Sequence, residues 1–289
     1  MQILVNGLLQ GMLIGVIGIA FALVYRIAKV FHIALGGLVA LAPYLILVGV
    51  EAGLPGIVAL PLAVLVVSWL GILVEEWIHR PLSDKCAPLE VHLIGSLGAY
   101  LIIIACIALL WGSETRVLRI GLDETWSIAG VTLARAQLLG PALTLLAVAV
   151  LFIWLGRANR GLELRALADN PVLVALLGRH VYVLRRWVFG LSAAVAAVAA
   201  SAQAWDVGFD PHVGLKAVLL GMVAMIIGGN GSFFGPLVGG ILLGVLRAEM
   251  VWYASARWEE AVTFALLAAF LFFRPNGLLG RRTRLEEAA

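Results

Sequence analysis

Long apolar runs, each bounded by charged residues or by proline and glycine, make up most of this sequence. Seven of these runs approach the length of about 20 residues that a helix needs to cross a lipid bilayer. The runs predict membrane-spanning helices over residues 7–25, 31–50, 55–74, 92–111, 138–156, 187–205 and 259–273. Because helices satisfy their own backbone hydrogen bonds in lipid, the pattern predicts an all-α, polytopic membrane protein with one transmembrane domain over residues 1–289.

An eighth apolar stretch, residues 217–246, is interrupted by a glycine-rich sequence, Gly228-Gly229-Asn230-Gly231-Ser232, and then by Gly235-Pro236. Each half has about a dozen residues, fewer than the roughly 17 that a spanning helix needs. Apolar segments broken by glycine and proline are typical of the places where transporters put non-helical backbone at membrane depth. The stretch is predicted to form a helical hairpin or a re-entrant pair, which gives about eight transmembrane segments in all.

A charged island, residues 157–186, separates two of the predicted spans. It holds six of the twenty Lys and Arg residues, namely Arg157, Arg160, Arg165, Arg179, Arg185 and Arg186. Leucine, valine and alanine recur between these charges in an amphipathic pattern, which favours a short helix at the membrane surface over a span. A long basic connection of this kind stays in the cytoplasm, so the island is predicted to be a cytoplasmic coupling loop that contacts a soluble partner.

The orientation of the chain follows from the distribution of Lys and Arg between the spans. Fourteen of the twenty lie in one set of connections, which comprises Arg26, Lys29, Arg80, Lys85, the charged island and the C-terminal Arg274, Arg281, Arg282 and Arg284. The other set holds six. The more basic set is predicted to be cytoplasmic, which places the N-terminus outside and the C-terminus inside. The longest outer connection, residues 112–137, is expected to hold a small β-hairpin or a surface helix.

Composition supports the membrane assignment and narrows the function. Hydrophobic residues form 63% of the chain and charged residues 13%, against about 45–50% and about 25% in soluble domains. The net charge of +3 comes from residues beside the spans and needs no nucleic-acid partner. The predicted spans contain no carboxylate pair, no central Lys or Arg and no cluster with metal-ligand spacing. The sequence therefore predicts no catalytic site, no metal site and no ion coupling of its own.

Three segments resemble the permease subunits of branched-chain amino acid ABC transporters. GRANRGLELRALADNPVLVALLGRHVYVLRRWVFGLSAAVAAVAA is similar to that family's cytoplasmic coupling loop and the alanine-rich span after it. LKAVLLGMVAMIIGGNGSFFGPLVGGILLGVL is similar to its glycine-rich hairpin, and VTFALLAAFLFFRPNGLLG to its last span and ending. The family's Asn-Phe-Ala-His-Gly-Glu type sequence after the first span is changed here, because His32, Leu35 and Gly37 stand at its Asn, His and Glu positions.

The resemblance implies a pore subunit of the inner cell membrane that binds neither ATP nor another cofactor. Its implied partners are two cytoplasmic ATPases, a second identical or homologous permease, and a periplasmic or extracellular solute-binding protein. The implied solute is a branched-chain amino acid or a related small polar solute, such as an amide, urea or an organic acid. The alternatives are a stand-alone secondary carrier or facilitator, and a structural subunit of another membrane complex.

The candidate site residues fall into two groups. Those expected to couple the pore to the ATPases are Glu163, Arg165, Asp169 and Arg179 as polar contacts, Leu167, Leu173 and Leu177 as apolar contacts, and Gly178. Those considered for the translocation pathway are His32, Gly36, Gly37, Gln203, Gly229, Asn230, Gly231 and Ser232. The competing interpretations are an ordinary surface helix that covers its own protein at residues 162–178, an ordinary interfacial residue at His32, and simple close helix packing at the glycine cluster.

The charge asymmetry makes the position of the island testable. In a variant without Cys86 and Cys106, a cysteine introduced at Asn170 is expected to react with a thiol reagent only when that reagent crosses the inner membrane. A cysteine in the outer connection 112–137 should react with an impermeant reagent and serves as the control. Labelling of Asn170→Cys from the periplasm alone would show that the predicted orientation is wrong.

Overall fold

The computed structural model describes residues 1–118, 125–128, 131–229, 232, 234–274 and 276–280, which are predominantly helical. The α-helices are α1 (Gln2–Ala28), α2 (Ala34–Glu51), α3 (Gly56–Val74), α4 (Arg80–Asp84), α5 (Leu89–Trp111), α6 (Arg135–Arg157), α7 (Asn159–Asp169), α8 (Pro171–Leu176), α9 (Val181–Asp206), α10 (Val213–Gly228), α11 (Gly235–Tyr253) and α12 (Glu259–Phe273). A π-helical turn, Glu75–His79, joins α3 to α4, and a 3₁₀ turn, Ala256–Trp258, precedes α12. Two strands, β1 (Thr125–Ile128) and β2 (Val131–Ala134), pair antiparallel.

Seven helical segments of the described chain are long and apolar enough to cross a membrane, in agreement with a polytopic membrane protein. Six of them overlap predicted spans. The seventh is α11, whose 19 residues exceed the length expected for half of a hairpin. α10 has 16 residues and α12 has 15, so α12 extends only about 22 Å at 1.5 Å per residue. The segment 259–273, which was predicted to be a full span, is therefore shorter than a typical span. α11 is instead the seventh helix that is long enough to cross a membrane.

The first helix, α1, lies inside the bundle and packs most closely against α11. Gly7, Gly11 and Gly15 share one face of α1, and Gly240 and Gly244 share the facing side of α11. A Cβ atom built on Gly240 would lie 2.4 Å from the Gly15 Cα atom, and one on Gly244 would lie 2.3 Å from the Gly11 Cα atom. The two backbones therefore touch, an approach that only small residues allow.

The alanine-rich helix α9 packs against both α1 and α3. The Ser192 hydroxyl donates a hydrogen bond to the Ala20 carbonyl oxygen at 2.7 Å. The Ser68 hydroxyl donates one to the Gly190 carbonyl oxygen at 3.0 Å. Hydroxyl groups thus bond across two helix interfaces, as is common where membrane helices approach closely.

The connection between α9 and α10 turns back into the bundle. Phe209 is buried, and its ring stands edge-on to the Tyr44 ring of α2 with the centroids 4.8 Å apart. At the start of α10, a Cβ atom built on Gly214 would lie 1.9 Å from the Gly36 carbonyl oxygen. α10 therefore begins beside the first turn of α2, which accounts for its short length. Gly36, a pathway candidate, lies where these two helices cross.

The connection between α5 and α6 contains a β-hairpin, the first of the two alternatives considered for residues 112–137. The Gln2 side chain donates a hydrogen bond to the Thr132 carbonyl oxygen at 2.8 Å and accepts one from the Thr132 amide at 2.9 Å. These two bonds join β2 to the beginning of α1. Residues 119–124 and 129–130 lie outside the described part of this connection.

The contact between α1 and α11 leads to a stability prediction. Gly240→Val should lower the melting temperature of the purified protein, because overpacking a close crossing costs about 1–3 kcal/mol. Gly98→Val is the control, since Gly98 lies within α5 and no described atom comes within 4 Å of the place its Cβ would occupy. Thermal unfolding in detergent, followed by fluorescence-detected size-exclusion chromatography, measures both variants. Equal melting temperatures would contradict the proposed contact.

Candidate functional site

The charged island forms two short helices, α7 and α8, which meet at Asn170 and Pro171. Asn170 has an extended backbone with a φ of −150°, as expected before proline. Its Oδ1 atom accepts a hydrogen bond from the Leu173 amide at 3.0 Å. Asn170 therefore ends one helix and caps the next. Residues 159–180, from the start of α7 to the residue before α9, are called the coupling segment below.

One face of the coupling segment belongs to the protein core. Leu164 and Leu167 are each 1% exposed and Val174 is 4% exposed, and all three join the main core cluster. Leu167, which was predicted to contact an ATPase, therefore faces this protein's own bundle, and that prediction is wrong. The amphipathic pattern identifies an apolar face, but periodicity alone does not distinguish a face buried within the chain from one that binds a partner.

The opposite face of the coupling segment exposes apolar side chains. The exposed fractions are 67% for Val172, 54% for Leu173, 79% for Leu176 and 72% for Leu177. These neighbours on α8 and at its end form one surface, which we call the α8 patch. Contiguous exposed apolar surface of this kind is typical of a site that binds another protein.

The polar candidates lie on the same segment. Arg179 forms an ion pair with Glu163 at 3.3 Å, which joins the end of the segment to α7. Arg165 and Asp169 are exposed. Gly178 has a φ of +74°, a conformation that favours glycine, and no described atom lies within 4 Å of the place its Cβ would occupy. The backbone around Gly178 is therefore open to an incoming partner.

The glycine-rich break between α10 and α11 lies at the coupling end of the bundle. Ser232 and Phe234 share a cleft with Arg165 and Asp169 of α7. The Phe234 ring lies 4.6 Å from the Phe152 ring at the same end of α6. The hairpin therefore turns beside the coupling segment.

The described C-terminal residues 276–280 pack onto this break. The amides of Leu278 and Leu279 donate hydrogen bonds to carbonyl oxygens at the end of α10, at 2.8 and 2.9 Å. Gly229 has a φ of +97°, and a Cβ atom built on it would lie 2.6 Å from the Gly280 amide nitrogen. Glycine at this position therefore permits both the turn of the backbone and the close approach of the C-terminal residues.

His32 is a core residue. It is fully buried, with its ring centroid 5.6 Å from that of His79 and 4.8 Å from that of Phe189. Burial lowers the pKa of His32, which precedes α2, to about 3, so the imidazole is uncharged at neutral pH. Because no part of the ring is exposed, the structure corrects the candidate role of His32 as a solute contact.

The other pathway candidates lie apart from one another. Gly37 faces the Ile103 side chain and lets α2 approach α5. Gln203 is half-buried near the end of α9. Asn230 and Gly231 lie outside the described residues. Among the residues that the structure describes, these candidates do not line a common space.

A cluster of charged side chains, which we call the polar joint, lies where the coupling segment continues into α9. Arg185 Nε lies 2.7 Å from Glu75 Oε1, and these two side chains are 11% and 1% exposed. Arg186 Nε lies 2.5 Å from Glu76 Oε2, and Glu76 also pairs with Arg80. Pairing compensates part of the cost of removing these charges from water. The joint fixes the beginning of α9 to the end of α3.

The π-helical turn connects the polar joint to further helices. Both Glu75 and His79 on this turn are buried. His79 Nδ1 lies 3.2 Å from His92 Nδ1, so one ring donates a hydrogen bond to the other. One turn further along α5, the Ser96 hydroxyl accepts a hydrogen bond from the Ala34 amide at 2.8 Å. Hydrogen bonds thus connect the π-helical turn of the joint to α5, and α5 to the first turn of α2.

The sequence interpretation missed the polar joint, because it treats Arg185 and Arg186 only as basic loop residues. The available signal is a pair of charged doublets, Glu75-Glu76 after one apolar run and Arg185-Arg186 before another. Buried charges near membrane spans are rarely left unpaired. Two doublets of opposite sign at the ends of apolar runs therefore indicate an ion pair between helices.

Comparison with known proteins agrees with this architecture. A family model described as the permease component of branched-chain amino acid transport systems matches residues 3–271. The high-affinity branched-chain amino acid transport system permease protein BraD of Pseudomonas aeruginosa is 28% identical over 298 residues, which cover 97% of this chain and 96% of the relative. The corresponding permease protein LivH of Escherichia coli is 27% identical over 301 residues, with the same coverage.

Among solved structures, PsaBC from Streptococcus pneumoniae in complex with Fab matches with a TM-score of 0.51 and 12% sequence identity, over 99% of this chain and 96% of that chain. At this identity the match supports the fold alone. The family match covers most of the chain and confirms the resemblance drawn from the three motifs, and with it a membrane transport subunit rather than an enzyme. The chain belongs to the family of permease components of branched-chain amino acid transport systems.

Proposed function

We propose that this protein is the membrane-spanning subunit of an ATP-driven importer for branched-chain amino acids or a related small polar solute. The family match and the names of the relatives support this solute class. Two cytoplasmic ATPases hydrolyse the ATP, so the permease itself binds no cofactor. A second permease, identical or homologous, completes the pore, and a solute-binding protein outside the membrane delivers the solute.

The α8 patch is the observation that carries the coupling part of this proposal. Its leucines are exposed on one side, while Leu164 and Leu167 on the other side hold the segment in the core. Packed interiors are poorly compressible, so a segment held in this way transmits a displacement to the helices beneath it. The basic residues of the segment favour the cytoplasmic side, where the ATPases act. The N-terminus is then outside and the C-terminus inside.

The polar joint connects the coupling segment to the pore helices. α9 begins directly after the segment, and Arg185 and Arg186 lie in its first two turns. Because of their ion pairs with Glu75 and Glu76, α3 moves together with α9. Separating a buried ion pair would leave an uncompensated charge, at a cost of about 3–5 kcal/mol. Hydrogen bonds beyond the joint extend the connection to α5 and α2. A displacement of the coupling segment therefore moves α9, α3, α5 and α2 together.

The glycine-rich break forms a second junction between the coupling segment and the pore. Ser232 shares its cleft with Arg165 and Asp169, and the helices on both sides of the break pack against α1. We place Gly229 and Ser232 in this junction, where close backbone contacts carry motion from α7 to α10 and α11. Their contribution to transport is then mechanical, without contact to the solute.

The α8 patch makes the proposal testable in proteoliposomes that contain the permease, its ATPases and its binding protein. Leu173→Asp or Leu177→Asp puts a charge into an apolar contact, and desolvating an unpaired charge costs several kcal/mol. Co-purification of the ATPases, ATP-dependent uptake of L-leucine and solute-stimulated ATP hydrolysis should therefore fall together. The binding protein should keep its affinity for L-leucine.

Val117→Asp is the matched control for these variants, because Val117 is an apolar residue of similar exposure, 50%, in the outer connection. It should leave co-purification of the ATPases unchanged. Normal co-purification with both leucine variants would remove the basis for docking at the α8 patch. Uptake of L-leucine by the wild-type permease without ATPases would instead show a stand-alone carrier or facilitator.

The buried ion pair between Arg185 and Glu75 predicts that the stability losses caused by mutating these two residues are strongly non-additive. Arg185→Gln or Glu75→Gln alone should lower the free energy of unfolding by about 3–5 kcal/mol, because each leaves a buried charge unpaired. The double variant should lose clearly less than the sum of the single losses. Denaturation in detergent measures all three. Lys216→Gln is the control, since Lys216 pairs with Glu260 in an exposed position, and it should cause a much smaller change. Additive losses would show that the joint residues act independently.

A further inference from the structure

Four charged side chains lie together where α10, α11 and α12 contact one another. Lys216 Nζ lies 3.0 Å from Glu260 Oε1, and these side chains are 52% and 67% exposed. Arg247 Nε donates a hydrogen bond to Glu259 Oε1 at 2.9 Å, and the Arg247 side chain is only 8% exposed. Arg247 also attracts Glu260. The two ion pairs therefore form one cluster, called the charged belt below, in which the Lys216–Glu260 pair is the open part.

The charged belt lies near the middle of the membrane. Lys216 precedes Gly228, the end of α10 beside the coupling segment, by twelve residues, and Arg247 follows Gly235, the start of α11, by twelve residues. Each of these distances is about 18 Å at 1.5 Å per residue. The hydrocarbon core is about 30 Å thick, so both charges lie well inside it. They flank the apolar runs in the sequence and reach this depth because α10 and α12 are short.

The opposite side of the bundle is about as far from the belt. Gly214, two residues before Lys216, packs on Gly36. α2 continues from Gly36 for another fifteen residues, about 22 Å, before it ends at Glu51. Lys216 is therefore roughly equidistant from the two membrane surfaces.

Lipid does not cover the open part of the charged belt. Charged side chains in hydrocarbon are costly, and those within spans normally face the bundle interior or a water-filled cavity. A long side chain near a helix end can reach the headgroups, but Lys216 is directed at Glu260 on the neighbouring helix. On α5, Leu101 and Ile102 at about the same depth are 58% and 66% exposed and apolar, as expected where lipid is in contact. The open side of the belt therefore faces water.

The connection between α11 and α12 supports the same conclusion. α11 continues for six residues past Arg247, about 9 Å, and the chain then returns to the belt at Glu259 through residues 254–258. This connection consists of irregular backbone and a 3₁₀ turn, and Arg257 and Trp258 are exposed on it. Non-helical backbone at membrane depth occurs only inside protein or along a water-filled cavity. The connection therefore lines a water-filled space that extends outward from the belt.

We propose that the charged belt lines the solute pathway at the middle of the membrane. Lys216 and Glu260 form a hydrated wall with charges of both signs and no net charge, which suits the passage of a zwitterion. Arg247 and Glu259 hold α11 to α12 and so position Glu260. The second permease supplies the opposite wall, since the belt is open in the isolated subunit. This inference rests on the proposed function, which supplies branched-chain amino acids as the solutes.

Cysteine labelling of the complete reconstituted transporter tests whether water reaches the charged belt. In a background without Cys86 and Cys106, Glu260→Cys should react with charged methanethiosulfonate reagents supplied on both sides of the bilayer. Leu101→Cys is the matched control, since Leu101 is similarly exposed and lies about 18 Å along α5 from Leu89. It should react at least about tenfold more slowly, because lipid excludes a charged reagent. Equal reactivity would overturn the pathway, as would an unreactive Glu260→Cys in a dry contact between subunits.

The charge of the reagent tests whether Lys216 faces the same water. In Glu260→Cys the Lys216 ammonium group has lost its partner, so it should favour an anionic reagent over a cationic one. The ratio of the two rates should fall about tenfold when Lys216→Gln is added, because fixed charges in a confined space change local ion concentrations by this order. Lys85→Gln is the control, since Lys85 is an exposed lysine after α4. An unchanged ratio with Lys216→Gln would place Lys216 outside the pathway.

Uptake kinetics test whether the belt acts in transport. Lys216→Gln leaves Glu260 unpaired beside the passing solute, so the maximal rate of L-leucine uptake should fall about tenfold. Lys216→Arg keeps the charge and should keep most of the rate. The melting temperature should stay close to that of the wild type in both variants, because an exposed pair contributes little to folding. Wild-type uptake in both Lys216→Gln and Glu260→Gln would overturn the proposal.

The two hypotheses fail in different ways. If the wild-type complex imports L-leucine with ATP, but Glu260→Cys reacts no faster than Leu101→Cys, the pathway lies elsewhere and the proposed function stands. If the wild-type complex does not import L-leucine, but Glu260→Cys still reacts much faster than Leu101→Cys, the belt borders a water-filled pathway and the proposed solute class is wrong.

Discussion

The backbone contact between α1 and α11 is the constraint on which the rest of the bundle depends. α1 packs against α6, α9, α10 and α11, so its position sets the position of each of them. Lipid tails are as apolar as the helix surfaces, so close packing has to hold the helices together. The glycines of α1 and α11 provide that packing over several turns, because their backbones meet without intervening side chains.

The sequence predicts the spans well where apolar length alone decides them. α5, α6 and α9 each follow a long uninterrupted apolar run, and their limits lie within a few residues of the prediction. The lengths of α10 and α11 were not predictable in this way. α10 is short because Phe209 enters the bundle and packs on Tyr44, a contact between residues far apart in sequence that no local pattern encodes. The extent of α11 depends on the glycine contact with α1, which is equally remote in sequence.

The candidate site was predictable only in part, for a related reason. An amphipathic pattern located α7 and α8, yet the rotation of the segment about its own axis decides which leucines remain exposed. Packing of Leu164 and Leu167 in the core sets that rotation and leaves Leu173 and Leu177 outside.

The ion pairs of the polar joint also constrain the topology, independently of any count of basic residues. Glu75 and Glu76 follow α3, while Arg185 and Arg186 begin α9, and these pairs form only if both helix ends lie on the same side of the membrane. The chain between them must then cross an even number of times, which α5 and α6 provide. It follows that the connection from α3 to α5 and the coupling segment share one side. The charge distribution then has only to decide which side that is, and both of these connections belong to the more basic set.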